Sequence, residues 1–125
     1  MIQPEQTELL ACVAGRFKAL ADVSRLRLLL ALRAGPRNVQ ELTRRLGMAQ
    51  AGVSKHLAVL RGAGLAACQR AKNQMIYRVA DERVFDLCAL VCDGVYRQIQ
   101  AQQSLLLPPV RRQAGRGKAK QGVTA

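Results

Sequence analysis

Cys88 and Cys92 stand four residues apart in a run, about residues 81 to 103, whose apolar residues recur at helical intervals. On a helix that spacing leaves two side chains only ~40° apart around the axis, so the two sulfurs converge on one face. Cβ atoms so placed are about 5 to 6 Å apart, whereas a disulfide wants about 3.8 Å. The pair therefore suits chelation better than a bond within itself. Each thiolate can sit roughly 2.3 Å from a metal without distorting the helix, and thiolates select soft metals and metalloids. Cys12, in the first helical stretch, is the natural third ligand, and Cys68 reads as structural. Two other roles suit the same residues. Free cysteine is among the most buried residue types, and these occupy apolar positions. Alternatively, Cys88 or Cys92 bonds to a cysteine on another helix by oxidation or through a persulfide, which would make the pair a thiol-redox device.

The second chemical signal is charge. Lys and Arg total 20 against 8 Asp and Glu, a net charge of +12. Residues 37 to 78 concentrate it, with eight basic residues against Glu41 alone. A basic middle between near-neutral arms points to nucleic acid as the leading partner and an acidic membrane surface as the second. Hydrolytic chemistry is poorly supplied. His56 is the only histidine, so a nucleophile, histidine and acid triad has one candidate base, and it lies in the basic segment. No Gly-rich loop with the phosphate-cradling spacing occurs. The chain is therefore expected not to be an enzyme.

The elements that must position these groups come from 125 residues, room for one hydrophobic core. Aromatics make up 3% and Trp is absent, so that core must be aliphatic. The expected organisation is one domain over 1–107 and a basic, disordered tail over 108–125, which holds five basic residues and no acidic ones. Arg25 and Arg27 interrupt the best apolar run, so no membrane span is expected. Glu5 and Glu8 stand where a secretory leader would be basic and then apolar, which predicts a cytoplasmic chain with reduced cysteines.

Apolar spacing predicts a first helix over about Glu5 to Leu20, with Leu9, Leu10, Val13, Phe17 and Leu20 on one face. Asp22 caps a second helix whose face is Leu26, Leu29, Leu30 and Leu32, ended by Gly35-Pro36. Asn38 caps a short helix from Val39 to Leu46, and Gly47 supplies a tight turn. A helix over about Gln50 to Arg61 follows, with Val53, Leu57 and Leu60 inward and Gly62 to Gly64 ending it. Two short helices around a Gly turn suggest a helix-turn-helix. Leu65 to Arg70 and Met75 to Val79 read as strands joined by Ala71-Lys72-Asn73-Gln74, with Asn73 suited to positive φ. Such a basic hairpin would be a wing. Asp81 then caps a long helix through about Gln103, with an apolar stripe too wide for a small domain to cover alone. The fold class is thus mainly α with a small β-hairpin, a winged helix-turn-helix of four helices, two strands and a last helix, forming a homodimer through its first and last helices.

The chain resembles the ArsR/SmtB family of winged-helix repressors. The likeness is carried by Lys18-Ala19-Leu20-Ala21-Asp22 with Arg25-Leu26-Arg27-Leu28-Leu29, by Val53-Ser54-Lys55-His56-Leu57 with Leu60-Arg61, by Ala63-Gly64-Leu65, and by Tyr77 in the second wing strand. It implies a homodimer that represses from double-stranded operator DNA and leaves when an inducer binds. A recognition helix reads the major groove with its N-terminal residues, which makes Gln50, Ser54, Lys55 and His56 the candidate base contacts. Ala51 and Gly52 allow close approach there. Arg44, Arg45, Arg70 and Lys72 are candidates for phosphate contacts, as Lys55 also is, and Asn73 and Gln74 complete the wing tip. The family usually starts this helix with Ser or Thr, where Ala49 stands here, and has Pro where Val23 follows the capping Asp.

The family's known sensing sites are missing. Its arsenic site of the ELCVCDL type would fall on Val39-Gln40-Glu41-Leu42-Thr43, which holds no cysteine, and its zinc site needs histidines that the last helix lacks. Cys88 and Cys92, with Cys12, are therefore the candidate inducer site, for As(III), Sb(III) or another soft centre. DNA binding itself would need no cofactor. The alternatives are a repressor responsive to thiol oxidation or persulfide, and an effector-free DNA-binding protein with structural cysteines.

Overall fold

A computed structural model of the chain describes residues 2–106; the tail expected over 108–125 lies outside them. The elements run α1 (Thr7–Leu20), α2 (Val23–Leu32), β1 (Arg37–Asn38), α3 (Val39–Leu46), α4 (Gln50–Gly62), β2 (Ala66–Ala71), β3 (Gln74–Val79) and α5 (Val84–Leu106). They form two compact units, one ending at Asp81 and the other starting at Glu82.

In the first unit the core is aliphatic, built on Leu28, Leu29, Leu42, Val53, Leu57, Leu60 and Leu65, all essentially fully buried. Asp22 caps α2 as its residue type predicts, its Oδ1 accepting from the Arg25 backbone N–H at 3.1 Å. That hydrogen bond, ahead of the nearby Arg25 charge, holds the Asp22 carboxyl below its ordinary value against the opposing effect of burial. The inward stripe of α2 differs from the expected one. Leu28, Leu29 and Leu32 are buried while Leu30 is 47% exposed. A run of consecutive leucines carries no helical phase, and the structure sets it through Leu28, Leu29 and Leu32. On α1 only Ala19 and Leu20 are buried, and the expected inward residues Leu9, Leu10 and Phe17 are exposed. The helix starts at Thr7 rather than Glu5.

α3 occupies the predicted span. Asn38 and Glu41 form a reciprocal capping box, Glu41 N–H donating to Asn38 Oδ1 at 2.8 Å and Asn38 N–H donating to Glu41 Oε1 at 2.9 Å. Gly47, at φ 65°, closes it. Because Asn38 is extended at φ −88° and ψ 171°, it also belongs to β1, a two-residue strand that spacing alone does not reveal. The sheet order is β1-β3-β2, all antiparallel, with Arg37 opposite Tyr77 and Cys68 opposite Tyr77 from the other side.

α4 ends in a Schellman turn. Leu65 N–H donates to Leu60 C=O at 2.9 Å and Gly64 N–H to Arg61 C=O at 3.0 Å, with Gly64 at φ 76°. The wing departs from the expected four-residue connection: β2 and β3 pair through Ala71 and Gln74, leaving only Lys72 and Asn73 as the turn. Lys72 rather than Asn73 takes the positive φ, at 58°, the only non-glycine to do so among the described residues. Positive φ at the first central position alone is the sign pattern that separates a II′ hairpin turn from a I′ turn.

In the second unit α5 is 23 residues long, about 35 Å. It opens with a turn in which Phe85 N–H donates to Glu82 C=O and Asp86 N–H to Arg83 C=O. Asp81, expected to cap this helix, directly precedes that turn, and its carboxylate lies 3.8 Å from Arg16 Nη1. No helix among the described residues is long and apolar enough to cross a membrane.

Candidate nucleic-acid interface

α4 is phased by three residues that are 0% exposed, Val53, Leu57 and Leu60. That anchoring leaves Gln50, Ala51, Ser54 and Lys55 exposed and Gly52 and His56 half-buried. Polar side chains near the helix start are thus presented to solvent from a rigid platform that packs on α2, α3 and β2. Ala49 stands at the N-cap in an extended conformation with no side-chain acceptor, so the first N–H groups of α4 receive no side-chain cap there. Arg44 and Arg45 are exposed at the end of α3. Arg70, Lys72, Asn73 and Gln74 are exposed on the wing, and Gln74 Oε1 accepts from Asn38 Nδ2 at 3.0 Å. His56 is engaged from inside, its Nδ1 lying 3.4 Å from Arg25 Nη1.

The thiols lie elsewhere. Cys88 is half-buried and Cys92 exposed, both on α5. Burial first, and then the neighbouring Cys92, push the Cys88 thiol above the ordinary cysteine value. Cys12 is exposed on α1 and Cys68 half-buried on β2. Among the described residues of one chain, no three His, Cys, Asp or Glu side chains gather as a metal site. Apolar faces of two helices stay open in the chain: Leu9, Leu10 and Phe17 on α1, and Leu90, Val91, Val95 and Ile99 on α5.

The model of the bacterial regulatory protein arsR family matches residues 22–67, from the α2 cap into β2. The transcriptional regulator NmtR of Mycobacterium tuberculosis is 40% identical over 84 residues, 67% of this chain and 70% of that protein. The chain belongs to the ArsR family of regulatory proteins. The arsenic resistance transcriptional regulator ArsR1 of Pseudomonas putida is 37% identical to this ArsR-family chain over 110 residues, 87% of it and 83% of ArsR1. Among solved structures, the homodimeric winged helix-turn-helix DNA-binding domain of Mycobacterium bovis is 32% identical, covering 88% of this chain and 97% of that one at a TM-score of 0.65. The winged helix-turn-helix fold expected for this transcriptional regulator is the fold observed.

Sequence reasoning missed the arginines that hold this ArsR-family scaffold together. Arg25 donates from Nε to Ala19 C=O at 2.6 Å and from Nη2 to Lys18 C=O at 3.2 Å. Arg16 Nε donates to Ala63 C=O at 3.1 Å, and Arg27 Nη2 to Leu46 C=O at 2.9 Å. The available signal was phase, because Arg25 precedes Leu28, Leu29 and Leu32 by three, four and seven residues and so shares their buried face. The thiols carry a prediction of their own. With Cys88 half-buried and its thiol pushed up, iodoacetamide should modify Cys92 several-fold faster at neutral pH. Cys88 should gain rate above the ordinary thiol range as its proton leaves. Site-resolved mass spectrometry across pH reads both, and equal rates with a common pH midpoint would contradict the assignment.

Proposed function

We propose that this ArsR-family regulator is a homodimeric, sequence-specific repressor that leaves its operator when a thiophilic inducer of the As(III) or Sb(III) class engages Cys88 and Cys92. The observation that carries the DNA reading is the exposed Gln50, Ser54 and Lys55 on a helix anchored by the fully buried Val53, Leu57 and Leu60. Such a helix start fits the major groove, where Gln50 suits a bidentate contact with adenine and Ala51 and Gly52 leave room for close approach. Arg44, Arg45, Arg70 and Lys72 then supply phosphate contacts, and Asn73 shares the wing tip with Lys72. DNA binding needs no cofactor in this reading, and the setting is the cytoplasm.

The open apolar faces of α1 and of α5, each taken by itself, support the dimer, since an exposed apolar helix face marks an association site. So does the similarity to the Mycobacterium bovis domain, which is homodimeric. A dimer would place two α4 helices on half-sites about 34 to 36 Å apart. For the inducer, the support is the pair of thiols four residues apart on α5 and the similarity to a regulator named for arsenic resistance. Release follows if the inducer binds more tightly to a dimer geometry that no longer matches that spacing.

Two substitutions separate base reading from phosphate contact. Gln50→Ala should relax discrimination at one operator position by about 1 to 3 kcal/mol. Lys72→Ala should weaken every duplex alike and lower the salt slope by about 1. Anisotropy on operator and scrambled duplexes measures both. Unchanged discrimination in Gln50→Ala, together with an unchanged salt slope in Lys72→Ala, would remove α4 and the wing from the interface.

A further inference from the structure

We infer that His56 is a positioning residue rather than a base reader: Arg25 holds its Nδ1 and thereby locks α4 onto the junction of α1 and α2. The inference rests on the reading that α4 enters the groove and says what sets its angle there. Arg25 side-chain exposure is only 16%. Its guanidinium reaches Ala19 and Lys18 carbonyls in the last turn of α1, Asp22 Oδ2 at 3.9 Å and His56 Nδ1 at 3.4 Å. The last carbonyls of a helix have no intrahelical donor, and a cation placed there also complements the helix dipole. One side chain therefore completes α1, braces the cap of α2 and grips the middle of α4.

The chemistry of that grip is one-directional. Arginine has five N–H donors and no acceptor, so a ring nitrogen bonded to it must be the acceptor. His56 Nδ1 is then unprotonated and the ring proton sits on Nε2. A second arginine ties the far end of α4 to the same helix, through Arg16 Nε and Ala63 C=O. A Cβ on Gly64 would come within 2.7 Å of Arg16 Nη2, so the glycine also leaves room for that tie. α4 is thus held at its middle and its end to α1, the helix that exposes Leu9, Leu10 and Phe17. In a dimer packed through that face, the two arginine ties set the angle and separation of the two reading helices.

Because His56 is the only histidine, its ring nitrogens give one unambiguous NMR signature. In the free, full-length protein at pH 8 the ring should be the Nε2–H tautomer with a hydrogen-bonded Nδ1, and Arg25→Ala should shift the Nδ1 resonance toward that of a free acceptor. Operator affinity then separates the two ring edges. In His56→Asn the amide oxygen stands where Nδ1 stood, so affinity should stay within about threefold, whereas His56→Ala and His56→Gln should each lose ~10-fold for want of that one hydrogen bond. Base preference should not change at any operator position in these variants. Retention by Gln with loss by Asn would overturn the inference and make Nε2 a DNA contact. Full affinity in His56→Ala, or an Nδ1 resonance insensitive to Arg25→Ala, would overturn it as well. The NMR arm needs no DNA, so it stands or falls apart from the groove reading, which Gln50→Ala tests.

Discussion

Cys92→Ser is expected to abolish release of the operator by arsenite while leaving operator affinity within about threefold, and Cys88→Ser should do the same. A hydroxyl is a hard, weakly acidic donor that cannot replace a thiolate at a soft centre, and one remaining sulfur on α5 cannot chelate. Each thiol proton leaves with an arsenite hydroxide as water, so the equilibrium is nearly indifferent to pH. The rate is not, because the thiolate is the nucleophile and burial pushes the Cys88 thiol up. Response should therefore quicken with rising pH without tightening. Cys12→Ser, on α1, reports separately whether a third thiolate contributes. Anisotropy of the reduced variants reads all of this. Equal loss of operator binding and of response in Cys92→Ser would show a structural cysteine, and release by polysulfide alone would make the pair a redox device.

Leu57→Ala is expected to cost about 2 to 5 kcal/mol, the range for truncating a buried leucine whose surroundings cannot fully collapse. Leu57 is 0% exposed and lies between Val53 and Leu60 on the inner face of α4. Small domains are stable by only about 5 to 15 kcal/mol in all, so such a loss would consume much of the margin and loosen the platform under Gln50 and Lys55. Val59→Ala serves as the control, since Val59 is 40% exposed and should fall near ±0.5 kcal/mol. Urea unfolding measures both. Similar midpoints for the two variants would contradict the assignment of α4's buried face.

Periodicity in the sequence is informative where it has a single reading. Val53 and Leu57 are separated by the polar Ser54, Lys55 and His56, and with Leu60 they recur at four- and three-residue steps, a spacing that sets the phase of α4 and turns Gln50, Ser54 and Lys55 outward. Asn38 and Gly47 bracket α3 with residue types that favour a cap and a left-handed turn, and its observed bounds match those residue types. The consecutive leucines of α2 give no phase, and Leu30, expected inward, faces out. Lys72 takes the positive φ of the wing turn against residue preference, because the strand register from Ala66 to Ala71 leaves only two residues to turn the chain. β1 is invisible to spacing since its two residues pair with β3 across a long stretch of chain, which no local pattern encodes. The arginine ties are long-range too, with Arg25 and His56 separated by 31 positions and Arg16 and Ala63 by 47. Cys88 and Cys92 are readable as a pair because both lie on one helix.

Fluorescence anisotropy of the reduced, full-length protein on duplex DNA from its own upstream region, beside a scrambled duplex, is the decisive test of an inducible, DNA-reading repressor. Arsenite, antimonite, zinc and polysulfide are titrated in parallel. The expected result is preferential binding of the upstream duplex, an affinity that falls steeply with salt, and release by arsenite or antimonite but not by zinc. Equal affinity for both duplexes would contradict the DNA-reading role of α4, and selective binding that no thiophilic reagent reverses would contradict the role of Cys88 and Cys92.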